Sequence, residues 1–456
     1  MEQAPPGARL PPTRALTAQH GASPVTVQKA LRRLTALGLV ESRPGVGVFV
    51  LPHGLPRAAD LGWQTAALGA APMRMRLSRT QRAVADGVIA LHSGYPAPSL
   101  LPERLVRAAL GRAARSSRAL TRMPAAGLPE LQEWFAADLA SWIPGGAPRP
   151  SANDVVVVPG SQSALSSVFR AIAAPDRPLV IESPSYWGAI LAAQQVGVPL
   201  VPIPSTAEGP DPEQLARALR DSGARAFYAQ PSFANPTGAL WSPARRREVL
   251  DTVRAHDAFL IEDDWARDLA IDAEPRPVAA QDEEGHVVAI RSLTKSVGPA
   301  LRVAAVIARG PVRERILADR AAETMYVSGV LQAAALDVVT QPAWRTHLRG
   351  LRSRLRDRRD ALVSALGRHV PDARVESVPR GGLSLWARLP DGTDPERLVR
   401  TAELNGLAIT AGDEWFPAEP PAPYIRLGYA GADPERFDEA GRVLARSLAE
   451  VRGLSS

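Results

Sequence analysis

From about Asp86 onward, short apolar runs alternate with stretches of helical periodicity, and this alternation restricts the fold more than any other feature of the chain. The runs fall at 155–158, 179–182, 200–203, 226–230, 259–262, 287–290 and 303–308. Apolar runs without polar alternation are strands buried on both faces, and the helices between them supply the crossovers of a parallel sheet. The pattern therefore predicts an α/β architecture with a largely parallel sheet. In such sheets ligands bind beyond the carboxyl ends of the strands, so the residues after each run are the candidates for chemistry.

Those residues form a set. The first run is followed by Pro159-Gly160-Ser161-Gln162, a turn that opens a helix and leaves N–H groups free for a phosphate. The second is followed by Ser183-Pro184-Ser185-Tyr186-Trp187, which offers a flat ring, and the fourth by Pro231 through Gly238, with Asn235 inside it. Asp263-Asp264 end the fifth run; Ser292, Thr294 and Lys295 follow the sixth, with Arg302 seven residues further on. Lys295 stands out by composition, because the chain has only two lysines, Lys29 and Lys295, among 54 basic residues. Arginine cannot lose its proton in a protein and so cannot condense with an aldehyde, whereas a lysine amine can. A chain that has replaced nearly every lysine keeps one where arginine fails chemically. A phosphate cradle, an aromatic plate, an amide, a carboxylate and an imine-forming lysine along one sheet edge are what pyridoxal phosphate requires.

At 456 residues the chain is long enough for two or three domains, and 45% apolar with 22% charged residues is ordinary for a globular protein. No apolar run reaches the roughly 18 residues that a membrane span needs, and the N-terminus has no apolar core of a secretory signal. The absence of cysteine removes disulfides, thiolate catalysis and cysteine metal sites, and fits a cytoplasmic protein. No His/Asp/Glu cluster has metal-ligand spacing.

The net charge of +7 is unevenly placed: residues 1–50 carry six basic and two acidic groups. Thr13 is positioned to cap a short helix through His20, and Gly21 breaks it. Ser23 is a second cap, with Pro24 at the first helical position. In that second helix Val27, Ala30, Leu31, Leu34 and Leu37 share one face, while Val25, Gln28, Lys29 and Arg32 share the other. Arginine and lysine reach guanine edges or phosphates, glutamine pairs with adenine and valine touches a thymine methyl, so the second face suits double-stranded DNA. Two strands around Pro44-Gly45 read as a wing. The segments Leu10–Arg14, Val25-Thr26-Val27, Leu37–Val40 and Arg43–Val50 closely resemble the GntR-type winged helix-turn-helix. The resemblance implies DNA contacts from Arg14, Thr26, Gln28, Lys29 and the wing around Gly45, and the outward face of the second helix adds Arg32 as a candidate. Only six residues precede Gly7, so the helix that the family places first is expected to be missing from the core.

Residues 86–456 resemble a fold-type I aminotransferase, with its smaller α+β part at about 340–456. The carrying motifs are Asn235-Pro236-Thr237-Gly238, Ile261-Glu262-Asp263-Asp264, Ser292 to Arg302, Tyr424-Ile425-Arg426-Leu427-Gly428 and Ala126 to Leu131. The resemblance implies Lys295 as the lysine that binds the cofactor's aldehyde, Asp263 (or Asp264) as partner of the ring nitrogen and Asn235 as partner of the phenolic oxygen. It implies Tyr186 stacking on the ring, Ser161, Gln162, Ser292, Thr294 and Arg302 at the phosphate, and Arg426 at the α-carboxylate of an amino acid or amine ligand. It also implies a homodimer. Two positions depart from the pattern: Trp265 stands where a tyrosine usually donates to the phenolic oxygen, and Arg122 where a tyrosine reaches the neighbouring subunit's phosphate.

A winged helix at 1–51, a linker at 52–85 and an aminotransferase-like domain, in this order, resemble the MocR-type bacterial regulators. In the linker Arg74, Arg76, Arg79 and Arg82 read as a solvated basic stretch. Two functions are implied: a regulator that senses pyridoxal phosphate or its adduct with an amino compound, and an aminotransferase with a vestigial front end.

Overall fold

The computed structural model describes residues 5–51, 63–64, 67, 78–174 and 176–453. The chain divides into two compact units, Met1–Met75 and Arg76–Ser456.

The first unit is built from α1 (Thr13–His20), α2 (Pro24–Ala36), β1 (Val40–Arg43) and β2 (Gly47–Val50). The Ser23 hydroxyl accepts from the Thr26 N–H at 3.1 Å and Pro24 opens α2, as the capping pattern predicts. The expected cap on α1 is different: Pro12 holds the cap position and Thr13 is the first helical residue, so no side chain caps that helix. Gly21, with φ of 59°, ends α1 in the left-handed conformation. β1 and β2 pair antiparallel from Val40↔Val50 to Arg43↔Gly47, closing the wing around Pro44-Gly45. The apolar face of α2 is only partly covered. Among the described residues of this unit Val27 and Val40 are buried, Leu31 and Leu34 are half-buried, and Leu37 is 62% exposed.

The second unit begins with β3 (Ile89–Ala90) and then builds one sheet from β4 (Val155–Val158), β5 (Leu179–Ser183), β6 (Leu200–Thr206), β7 (Gly209–Pro210), β8 (Ala226–Ala229), β9 (Phe259–Asp264), β10 (Val287–Ser292) and β11 (Ala304–Ile307). Its order is β4-β11-β10-β9-β8-β5-β6-β7. The five strands from β10 to β6 are parallel; β11 runs antiparallel to both β10 and β4, and β7 to β6. Side chains alternate between two cores. Val155, Val157, Phe227 and Leu260 face a layer that includes helices Pro129–Ala140, Pro243–Ala255 and Gly329–Thr340. Val156, Val158, Tyr228 and Ile261 face Ser161–Ile172, Trp187–Gln195 and Pro311–Thr324. Burial on both faces is why these strands carry no polar alternation.

A smaller part follows, with β12 (Arg374–Val375), β13 (Ser384–Arg388), β14 (Leu407–Ala408), β15 (Thr410–Ala411) and β16 (Tyr424–Gly428). Four of these form an antiparallel sheet ordered β12-β13-β16-β15, whereas β14 pairs with β3 in parallel. The helices Pro342–His369, Pro395–Leu404 and Phe437–Val451 supply its core through Leu355, Leu362, Leu398, Leu444 and Leu448.

Most of the expected linker lies outside the described residues, Arg74 and Arg76 included. Its last part differs from a solvated stretch. Ser78 caps a short turn, Arg79–Gln81, that is held on the second unit. Arg79 pairs with Glu396 at 2.5 Å, Arg82 with Glu403 at 3.1 Å, and Ser78 donates to Glu414 at 2.8 Å. Among the described residues no helix is long and apolar enough to cross a membrane, and no group of His, Asp or Glu could hold a metal ion.

Candidate functional site

The carboxyl ends of β5, β8, β9 and β10 open onto one cavity. Its lining includes Ser161, Tyr186, Asn235, Asp263, Lys295 and Arg426, six of the residues singled out in the sequence. Gln162, Ser292, Thr294 and Arg302 stand behind that lining. The Gln162 side chain accepts from the Tyr186 hydroxyl at 3.0 Å, and the Ser292 hydroxyl accepts from the Thr294 N–H at 3.2 Å. Arg302, at a positive φ of 49°, donates to the Pro159 carbonyl at 3.3 Å beside the start of the Ser161–Ile172 helix.

The two adjacent aspartates at the end of β9 have separate surroundings. Asp263 is buried in the cavity wall, and its Oδ2 accepts from the Tyr228 hydroxyl at 2.9 Å and from Gln230 Nε2 at 2.8 Å. Its Oδ1 is buried without a hydrogen-bond partner. Burial pushes this carboxyl up to about 6, against the lowering effect of the two donors. Asp264 instead pairs with Arg267 and lies 4.0 Å from Arg291. Arg291 also holds Asp268 at 2.7 Å, and Asp268 accepts from the Ser296 hydroxyl at 2.7 Å. This chain of buried ion pairs fastens the end of β9 to the loop that carries Lys295.

Lys295 Nζ donates to the Gly94 carbonyl at 2.9 Å and lies 3.2 Å from the centre of the Tyr95 ring. Burial, then Arg426 and Arg302, hold its amine well below the ordinary lysine range. The ring face favours the charged form, but a cation–π contact is worth only ~2 kcal/mol in a desolvated site, and the net direction remains downward. A lysine so depressed has a neutral, nucleophilic population near neutral pH. Arg426, 1% exposed, donates through Nε to Asn235 Oδ1 at 3.1 Å and through Nη1 to the His92 carbonyl at 3.4 Å. Gly94 and His92 belong to one strap, so the same short segment partners both the lysine and the arginine.

Several lining residues carried no periodic signal in the sequence: Thr80 and Gln81 at the end of the linker, and Tyr95 on the strap. Tyr228 and Gln230 had one that was missed. Polar side chains two apart at the end of an apolar strand share a face, here the one beside Asp263. Trp265 also lines the cavity, and its Nε1 is buried without a partner.

In the first unit Arg14, Thr26, Gln28, Lys29 and Arg32 are all exposed. Thr26 is in addition tied to Ser23 at the start of α2. Arg122 is exposed.

Residues 87–444 match the aminotransferase class I and II family, and residues 2–50 match the bacterial regulatory proteins of the gntR family. The chain belongs to the class I and II aminotransferases. That family is dependent on pyridoxal phosphate, and here its domain is fused to a GntR-type helix-turn-helix, the composition of the MocR-type transcriptional regulators. The chain is similar to the uncharacterized HTH-type transcriptional regulator YdfD of Bacillus subtilis, at 28% identity over 98% of this chain and 93% of that one. It is likewise similar to the probable rhizopine catabolism regulatory protein MocR of Rhizobium meliloti, at 29% identity over 94% and 87%. Among solved structures it resembles LysN, the α-aminoadipate aminotransferase of Thermus thermophilus complexed with N-(5'-phosphopyridoxyl)-L-leucine. The TM-score is 0.75 at 28% identity, covering 83% of this chain and 97% of that one.

The residues present fit a pyridoxal phosphate. Asp263 Oδ1, Trp265 Nε1 and Thr294 Oγ1 are buried polar atoms without partners around the cavity. Gly160, at φ 89°, leaves room that a Cβ would take from Arg302, with Nη2 only 2.6 Å from the added atom.

Proposed function

We propose that this chain is a DNA-binding transcription regulator that reads an amino acid or amine through pyridoxal phosphate held in the second unit. One observation supports it most: a buried carboxylate oxygen without a partner, a depressed lysine and a buried guanidinium share one cavity, on a chain whose first unit exposes Gln28, Lys29 and Arg32. Bound pyridoxal phosphate supplies an aldehyde and an electron-drawing ring. Lys295 would offer the neutral amine. Asp263 Oδ1 would hold a proton at the ring nitrogen. Asn235, whose Oδ1 already accepts from Arg426, would turn its amide N–H to the phenolic oxygen, with the Trp265 N–H as a second donor. Tyr186 would lie against the ring. The phosphate would be held by Ser161, the free N–H groups of its helix, Ser292, Thr294 and Arg302, with Gln162 steadying Tyr186. Arg426 would bind the ligand's carboxylate once the His92 carbonyl gives way.

A ligand that binds two conformations of this unit unequally would shift operator affinity by that difference and no more. The test is a mobility-shift assay with DNA from upstream of the gene, using the cofactor-loaded full chain. Nanomolar-range binding that weakens steeply with salt is expected; no sequence-selective shift at low salt refutes the regulator reading. The cofactor claim is checked separately. Lys295→Ala should abolish the protein's visible absorption band, and a Lys295→Arg protein that kept the band would refute the assignment of this lysine.

A second reading, an aminotransferase with a vestigial front unit, is favoured by the complete constellation of lysine, carboxylate and carboxylate-binding arginine. It would also place the neighbouring subunit, and so Arg122, at the site. Release of 2-oxo acid over many turnovers with an amino acid and 2-oxoglutarate separates it from the regulator.

A further inference from the structure

Gln230 lies outside the motifs that carry Asn235 and Asp263, yet it lines the cavity and bonds to both. It follows the last residue of β8, where Tyr228 stands beside Ile261 and Ala229 beside Glu262 of β9. One further step of that parallel register sets Gln230 beside Asp263, on the same face. Its amide Nε2 donates to Asp263 Oδ2 at 2.8 Å, and its Oε1 accepts from the Asn235 main-chain N–H at 2.8 Å. Its neighbours fix which way the amide points, since only the nitrogen can donate to a carboxylate and only the oxygen can accept from an N–H. The main-chain N–H of Gln230 donates at 3.2 Å to Glu182 Oε2, a buried carboxyl that the Ser205 hydroxyl also holds. Gln230 is 3% exposed, so water does not replace these partners, and an amide turned away from them would be left unpaired.

The two ends of this amide act on different groups. At Asp263 both donors, Gln230 and the Tyr228 hydroxyl, reach Oδ2, and Oδ1 has none. Donors to a carboxylate favour its charged form, whereas burial opposes it. A proton shared between a ring nitrogen and Oδ1 can rest on either atom, and the donors on Oδ2 hold it on the ring. Losing one donor moves that proton in a larger share of the molecules: the ring N–H bond breaks, an Oδ1–H bond forms, and no other reactant takes part. At Asn235 the bond goes to the main chain, so the side chain stays free to meet Arg426 at 3.1 Å. We propose that Gln230 is a positioning residue that ties the two polar partners of the ring together, keeping the shared proton on the ring nitrogen through Asp263 and fixing Asn235 through its main chain. The proposal rests on the reading of the cavity as a pyridoxal phosphate site and deepens it. An apolar side chain of the same length would fill the same space and do neither.

The test uses the full chain loaded with pyridoxal phosphate isotopically labelled at its ring nitrogen, observed by nuclear magnetic resonance, with the variants Gln230→Met and Tyr228→Phe. Gln230→Met removes both bonds; Tyr228→Phe removes one donor from Oδ2 and leaves the Asn235 bond in place. The ring resonance of the unaltered protein should lie at the protonated position. In each variant the unprotonated form should gain about fivefold, the weight of one lost neutral hydrogen bond. Hydrogen exchange at the Asn235 amide, followed in the cofactor-free protein, should quicken about fivefold in Gln230→Met and stay unchanged in Tyr228→Phe. If Gln230→Met folds poorly, Gln230→Asn takes its place: an amide one methylene shorter cannot span both partners, so at least one of the two readouts should move. An unmoved ring resonance in the Gln230 variant overturns its hold on the proton. Unchanged Asn235 exchange there, or equal quickening in Tyr228→Phe, overturns the tie between the two partners. Either result leaves the cofactor site standing. A ring nitrogen already unprotonated in the unaltered protein overturns the role of Asp263 and the proposal with it, and failure to take up pyridoxal phosphate overturns the reading of the cavity itself.

Discussion

At the scale of single residues, the site turns on which of two adjacent carboxylates faces the cavity. Successive side chains of a strand point to opposite faces, so Asp263 and Asp264 cannot both do so. Asp263 lines the cavity with one oxygen lacking a hydrogen-bond partner, while Asp264 lies outside that lining and is ion-paired with Arg267. The burial of Asp263 has a measurable signature. Its folded value of about 6 lies above the ordinary aspartate value of ~4. Between those values the folded protein keeps a proton that the unfolded chain has released, so stability contributed by this group is present below about pH 4 and falls as pH rises to about 6. Asp263→Asn should flatten that fall in the cofactor-free protein, by up to ~3 kcal/mol between pH 4 and 6.5, in denaturant titrations. Glu262 and Glu414, each pushed up to about 7, should leave a residual slope. The doublet was visible in the sequence as chemistry, but its register was not, because two consecutive aspartates at a strand end satisfy the same pattern.

At the scale of elements, the parallel strands were legible because burial on both faces writes them as uninterrupted apolar runs: all four residues of β4 and of β8 are buried. The strands β12, β14 and β15 have two residues each and carry no such run. The antiparallel course of β11 was also hidden, since an apolar run has the same composition in either direction. Loop residues were legible only where a motif marked them. Asn235 sat in one; Tyr95 and Thr80 did not, and only the folded chain brings them to Lys295. The turn before the Ser161–Ile172 helix shows how closely an element end is fitted. Gly160→Ala would force a side chain into a left-handed backbone and against the Arg302 guanidinium. Cofactor affinity should drop at least about tenfold, read by fluorescence or absorbance titration, with far-ultraviolet circular dichroism unchanged.

At the scale of the whole chain, two cations of one scarce type have different reasons to exist. Lys295 occupies a position where arginine cannot do the proposed chemistry, whereas Lys29 stands exposed on α2, where a phosphate contact would accept either cation. Lys29→Ala should weaken binding to all DNA sequences alike and reduce the salt dependence of the binding constant by about one unit of slope. Gln28→Ala should relax selectivity at one base pair and leave that slope unchanged. In the second unit the strap has a wider consequence. Gly94 and His92 already occupy Lys295 and Arg426 with their carbonyls, at 2.9 and 3.4 Å. A tethered competitor acts at high effective concentration, so the pocket carries a built-in discount against weak or scarce ligands. Competition of this kind moves the midpoint of the response to higher ligand concentration without changing its shape, and loosening the strap would lower the dose at which the protein responds.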